Sequence, residues 1–290
     1  MKLVNNPFAN NSVVTLKNQE WLEKQRIAGK ITAGALTLLE GEVKAGTTKT
    51  LLELDKLAET YIRDNGCTPT FLGYKGYPAS VCCSVGRQLV HGIPNSYVLQ
   101  DGDKISFDLG ASYKESISDS ALTILVGNPR SNDHVKLVDA TEDALMRGIE
   151  EIAVGRRLGV IGSAISRCAK GYGLSVVVNY GGHGIGLDRN GVGVPHEPPF
   201  ICNVGDPNEG VRIVEGMVLA LEPLFVIGKS SRTRVLDDKW TVVCDDICSH
   251  HEHSIFVHRD GIEIVSYRNN ENCLKSNMVY FKKNNEKIEQ

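Results

Sequence analysis

The sequence predicts an α+β fold in which two related halves share one central sheet. Two observations carry this. Apolar periodicity divides the chain into helix, helix and strands, and then the same order returns. In addition, Asp108, Asp119, His183, Glu222 and Glu252 sit beside strand-like apolar runs drawn from both passes. Charged side chains next to strand cores are costly unless paired or bound to metal. A fold that aims both sets of strands at a common interior accounts for all five.

The elements follow in order. Residues 1–16 are polar and Asn-rich and read as a flexible N-terminal arm. Over 17–43, Trp21, Leu22, Ile27, Ala28, Ile31, Ala35, Leu36 and Leu39 recur near a 3.6 period, so a helix is expected, ended by Gly46. Thr50 and Glu53 form a capping box for a second helix over 50–64, closed by Gly66. Strands are expected near 69–73, 80–84 and across 104–126. The second pass begins with a helix over 133–152, capped by Ser131 or Asn132 and broken by Gly155 and Gly159. A helix over 160–170 ends near Gly171 and Gly173, and strands follow near 174–179, 211–227, 240–245 and 252–267. The halves resemble each other in element order only. Residues 17–268 form one catalytic-sized domain, and 269–290 a polar C-terminal tail.

Composition narrows the class. The formal net charge of −3 argues against a nucleic-acid surface, which is usually basic. No run has the length of a membrane span, and Met1 to Glu20 lacks an apolar leader, so the cytoplasm is the expected compartment. The eight cysteines are irregularly spaced and read as reduced thiols. Cys244 and Cys248 lack the second pair that a zinc site needs.

The first acidic pair is informative. A hairpin turning at Tyr113-Lys114 puts Asp108 and Asp119 directly opposite each other on one face. Two carboxylates that close repel unless a proton or cations lie between them; solvated acids on a hairpin rim are the alternative. His183 lies in Tyr180-Gly181-Gly182-His183-Gly184-Ile185-Gly186, where glycines allow close backbone approach. Pro223 favours extended backbone at Glu222. Four carboxylates and one imidazole suit a hard or borderline divalent pair.

In order and context these five residues resemble the ligand set of the type I methionine aminopeptidases. The resemblance runs from Leu16 to Arg268 and rests also on Leu72-Gly73-Tyr74-Lys75-Gly76-Tyr77-Pro78, His91-Gly92-Ile93-Pro94, Asp101-Gly102-Asp103, His196-Glu197-Pro198, Glu215-Gly216-Met217, Leu221-Glu222-Pro223, Trp240-Thr241-Val242 and Glu252-His253. It implies a pita-bread fold: a pseudo-two-fold antiparallel sheet covered by helices on one face. It implies two divalent ions per chain (Co, Mn, Fe or Zn), with Asp119 and Glu252 bridging them. A metal-activated water would attack the first peptide bond, and Glu222 would take its proton. His91 and His196 would stand beside the substrate. Phe71, Tyr74, Tyr77, Cys82 and Trp240 would line a methionine pocket, with small second residues preferred. The implied substrate is the N-terminal methionine of nascent chains near the ribosome, and the implied state is a monomer. No zinc-finger or Pro-rich stretch precedes residue 17, so no dedicated ribosome anchor is expected.

Some positions depart from the family pattern. Twelve residues separate His183 from His196, where six are usual, which suggests a flexible loop at the cleft mouth that alters substrate access. Pro195 stands where an aromatic is common, and Lys75 replaces a histidine. Gly86-Arg87-Gln88 replaces a segment whose backbone oxygens often hold a monovalent cation. His250 should share a face with Glu252, where it would either lie near the metals or bond backbone, the second being the expected role. Two other functions are kept open: a proline-directed aminopeptidase of the same fold, and a metal-free binding protein associated with ribosomes or nucleic acid.

Overall fold

The computed structural model describes residues 2–5, 13–188 and 190–268. Four helices carry the predicted order: α1 (Gln19–Lys44), α2 (Leu51–Asp64), α3 (Asn132–Glu150) and α4 (Gly159–Tyr172). The capping box of α2 is present, with Glu53 N–H donating to Thr50 Oγ1 and Thr50 N–H to Glu53. Ser131 is the N-cap residue of α3, without a side-chain hydrogen bond.

In the first half, Lys104–Tyr113 pairs antiparallel with Val81–Val85 and with Ser116–Leu125. Helix α1 lies against this sheet and buries Ile31, Ala35, Leu36 and Leu39 in a core shared with Ile105, Phe107 and Leu109. In the second half, Gly193–Ile201, Gly182–Leu187, Val218–Leu221, His253–His258 and Gly261–Ile264 form a five-stranded sheet. Leu145, Ile149 and Ile161 of α3 and α4 pack with Leu219, Leu221 and Ile255 of that sheet.

The two sheets meet along a seam. Ala121 and Glu252 exchange backbone hydrogen bonds, with Glu252 N–H donating to Ala121 O at 2.9 Å. Hydroxyls extend the seam: Ser254 Oγ donates to Asp119 O at 2.7 Å, Ser120 Oγ to Glu252 O at 2.6 Å, and Thr123 Oγ1 to His250 O at 2.7 Å. Short hydroxyl side chains let the two sheets approach closely enough to act as one, and they satisfy buried backbone groups there.

Several expectations are corrected. The run 104–126 turns at Lys114-Glu115, not Tyr113-Lys114, so Asp108 faces Ala121 and Asp119 faces Gly110. A turn moved by one residue shifts the pairing by two, which keeps both acids on the same face. Lys114 takes the left-handed backbone that this tight turn needs (φ 54). The run 211–227 is interrupted at Glu222-Pro223, between Val218–Leu221 and Leu224–Val226. The expected loop between His183 and His196 is mostly hairpin, Gly182–Leu187 with Gly193–Ile201. Near its tip the Asp188 carboxylate accepts from Asn190 N–H and Val192 N–H. Within the stretch expected as a flexible arm, Lys2–Asn5 pairs with Val13–Leu16, and Val14 and Thr15 are buried. The tail 269–290 lies outside the described residues.

Candidate active site

All five candidate ligands converge at the seam. Asp108 and Asp119 come from the first-half hairpin, His183 from the Gly182–Leu187 strand, Glu222 from the break before Pro223, and Glu252 from the bridge to Ala121. Asp119, His183 and Glu252 present ligand atoms that all lie within 4.8 Å of one another. His183 Nε2 is 3.5 Å from Glu222 Oε1 and 3.9 Å from Glu252 Oε1. Its Nδ1 lies 3.1 Å from Gly184 O, which orients the ring. The close approach behind His183 requires glycine: a Cβ at Gly182 or Gly184 would run into the carbonyls of Ala220 and Pro198.

The cluster is short of positive charge. Asp108 Oδ1, Asp119 Oδ1 and Glu252 Oε1 are buried and make no hydrogen bond. Burial pushes Asp108 and Glu222 up to about 7. Burial, and then repulsion from neighbouring carboxylates, pushes Asp119 and Glu252 well above the usual range. Four acids, three of them with an orphaned oxygen, and one oriented imidazole fit a divalent metal centre, which would remove both the repulsion and the unpaired lone pairs.

A cleft of about 490 Å³ opens beside the acids, lined in part by His91, Tyr180, His183, His196, Phe200 and Glu222. That size suits a small ligand or a peptide end. His91 holds a left-handed backbone (φ 58), a strained state for a non-glycine residue. Burial pushes its imidazole down to about 4, so it is neutral near pH 7. His196 stacks on Tyr74 with ring centroids 5.6 Å apart and lies 4.2 Å from His183. Burial of its ring, and then repulsion from His183 and His91, depresses its pKa too, although the residue as a whole is exposed. Glu197, the next residue, is fixed from below: it accepts from Thr15 Oγ1 at 2.7 Å and from the buried Lys17 ammonium.

The predicted pocket residues assemble against the acids. Phe71, Tyr77 and Cys82 form one apolar cluster with Ala79, packed by Ile93 and Trp240. Trp240 meets Tyr77 edge-on at 5.1 Å and His91 at 6.2 Å. Cys82 is the cross-strand neighbour of Asp108, so an apolar, thiol-bearing wall adjoins the acid cluster directly. Tyr74 stands apart from this cluster, at the His196 side.

Sequence reasoning missed two features. Tyr180 lines the cleft and faces His91 at 6.3 Å; its place just before Gly181-Gly182 was the available signal. Asn203 Nδ2 donates to Glu222 O at 3.0 Å, a long-range support with no local signature. Of the two roles open to His250, the expected bond from its ring to backbone is absent; its Nε2 points at Glu222 Oε2, 3.4 Å away. Two carbonyls of the segment 84–88 are already engaged: Lys104 Nζ donates to Ser84 O at 3.1 Å and Gln88 O at 3.0 Å, and Cys248 Sγ donates to Gln88 O at 3.2 Å. None of residues 188 and 190–195 lines the cleft; Gly193 instead packs closely on Glu115 O at the other hairpin's turn.

The chain is similar to known proteins in sequence and in fold. The sequence profile of metallopeptidase family M24 matches residues 23–259. Methionine aminopeptidase of Mycoplasma capricolum is 41% identical, covering 88% of this chain and 98% of its own. Methionine aminopeptidase 1 of Bacillus subtilis is 42% identical, covering 88% and 99%. The crystal structure of a methionine aminopeptidase from Thermotoga maritima superposes with a TM-score of 0.82 at 34% identity, covering 88% of this chain and 100% of that one. Prolidase from Pyrococcus furiosus, at 23% identity and a TM-score of 0.67, covers 87% and 65% and shares the fold. With its pita-bread sheet and acid cluster, the chain belongs to the methionine aminopeptidases of metallopeptidase family M24.

Proposed function

We propose that this protein removes the N-terminal methionine from peptides and nascent chains, preferring a small second residue, with two divalent ions held by Asp108, Asp119, His183, Glu222 and Glu252. The observation that carries the reading is the adjacency of three orphaned carboxylate oxygens to an apolar cluster of Phe71, Tyr77, Cys82 and Trp240. That cluster offers polarisable and aromatic surface to a thioether. Sequence kinship to the methionine enzymes separates this reading from the proline-directed one, whose relative supports the fold alone.

When bound, the metal pair supplies Lewis acidity, lowering the pKa of a water and neutralising charge that develops on the substrate carbonyl. The chain's own groups do the rest. Glu222 sits at the cleft wall, where its carboxylate is placed to take a proton from water and return it to the leaving amine. Neutral His91 and His196 flank the cleft and can each donate an N–H to the reacting amide. Among the described residues no helix is long and apolar enough to cross a membrane. Action in the cytoplasm, as a monomer, on chains leaving the ribosome is the setting this reading favours.

The test is hydrolysis of Met-Ala, Met-Leu, Leu-Ala and Ala-Pro peptides by apo-protein supplied with Mn, Fe, Co or Zn in turn. Cleavage restricted to Met-Ala and dependent on metal supports the reading. Cleavage of Ala-Pro moves the protein to the proline-directed branch, and silence of folded protein with every metal favours a binding role.

A further inference from the structure

His250 has no part in the proposed ligand set, yet it lies against it. The residue is 1% exposed, and neither ring nitrogen makes a hydrogen bond. Its Nε2 stands 3.4 Å from Glu222 Oε2 and 3.8 Å from Glu252 Oε2. His183 stands at 3.5 and 3.9 Å from the same two carboxylates, but at the other oxygen of each. The two imidazoles thus approach one pair of glutamates in the same way, at different oxygens.

We propose that His250 is a further metal ligand, so that two imidazoles join the four carboxylates. The inference rests on the reading of the acids as a metal centre and names a ligand beyond it. Distances support it. An N–H···O bond has its mode at roughly 2.9–3.0 Å, shorter than the His250–Glu222 separation. Donor atoms at about 2.0–2.2 Å from one ion lie roughly 3–3.5 Å from each other, so His250 needs to move only a few tenths of an ångström. The ring is not needed to hold the strand. Thr123 Oγ1 already accepts from His250 N–H at 2.9 Å and donates to His250 O at 2.7 Å. The imidazole is left free to face the acids, on the same side of the chain as Glu252.

Two consequences follow. A ligating imidazole usually donates its second N–H to an acceptor. His183 has Gly184 O for that purpose, whereas His250 Nδ1 has no partner. The ion that His250 holds is therefore the more weakly bound of the two. A second imidazole also favours Fe, Co or Zn over Mn, because imidazole suits these metals better than carboxylate-only surroundings do.

The experiment is titration of full-length apo-protein with Co(II), followed by calorimetry and by proton NMR of exchangeable imidazole N–H signals shifted by the paramagnetic ion. Wild type should show two such signals with two ions bound. His250→Gln should show one, with the weaker site loosened about tenfold or more, and a reduced preference for Co over Mn. His183→Ala should also retain one signal, that of His250. A single signal in wild type holding two ions would overturn the role of His250 while leaving the metal centre intact, and this needs no variant to fold. An unchanged isotherm and spectrum in His250→Gln would do the same. Failure of the folded wild type to take up any metal would overturn both readings.

Discussion

Removing the metal should give a protein whose stability falls as pH rises from 6.5 to 8. The sign follows from the direction of each shift. Asp108 and Glu222 titrate near 7 in the folded chain, and Asp119 and Glu252 well above their usual range, whereas all four titrate near 4 when unfolded. Through this window the folded state therefore holds protons that the unfolded state has lost, and stability drops with rising pH. The buried histidines act oppositely, but elsewhere. His91 and His250 are depressed to about 4, so their contribution grows between about 4 and 6.5 and is complete above that range. Lys17, depressed to about 8, contributes a rise only above the window. One retained proton gives a slope of ~1.4 kcal/mol per pH unit and two give ~2.7, so the loss between pH 6.5 and 8 is ~2–4 kcal/mol. Urea denaturation of chelated protein at several pH values would measure it. Saturating divalent metal should abolish the loss, because the ions displace those protons and bind more tightly as pH rises. An apo-protein whose midpoint is flat or rising across the window would refute the claim that the four acids are confined without compensation.

Other outcomes follow from the same geometry. Glu222→Gln should lower kcat by ~10²–10⁴ while leaving the circular dichroism spectrum unchanged; near-wild-type turnover would remove Glu222 from the chemistry. Lys17→Met strands the Glu197 carboxylate in the interior, and should cost ~3–5 kcal/mol by urea denaturation; a cost below about 1 kcal/mol would show that the carboxylate finds another partner. Activity and melting should not distinguish Na⁺, K⁺ or choline at constant ionic strength, because Lys104 and Cys248 already occupy the carbonyls of Ser84 and Gln88; a specific requirement for one cation would contradict this. Lys104→Met removes a donor from Ser84 O, while Gln88 O keeps Cys248 Sγ, and should cost ~1–3 kcal/mol by urea denaturation.

What was legible in the sequence was what short-range pattern encodes. The periodicity of α1 and the Thr50–Glu53 box located helices because both signals lie within one or two turns. Asp108 and Asp119 were placed on one face despite a misplaced turn, because strand parity survives a two-residue slip. The seam was not legible. Ser120, Thr123 and Ser254 are unremarkable as sequence, and their role appears only once strands 127 to 135 residues apart in the chain lie side by side. His250 shows the limit from the other side. Its parity with Glu252 was readable, but whether the ring met backbone or acid depended on Thr123 having taken the backbone first.

The spacing between His183 and His196 makes the same point about motifs. Counted along the chain, twelve intervening residues argue against equating His196 with a cleft histidine. Counted in space, the ring lies 4.2 Å from His183. The added length goes outward into the hairpin tip, where Asp188 closes the turn and Gly193 packs on Glu115. Register shifts between Val194 and Glu197, and again before Ile201, absorb what remains. On the inner side Glu197 is clamped by Thr15 and Lys17, and Tyr74 stacks on His196. An insertion between two anchored ends is free to grow away from the site, because extending a loop costs only about 0.6 kcal/mol per doubling of its length. The position of His196 is therefore set by a buried ion pair and a stacked ring, and not by the number of residues leading to it.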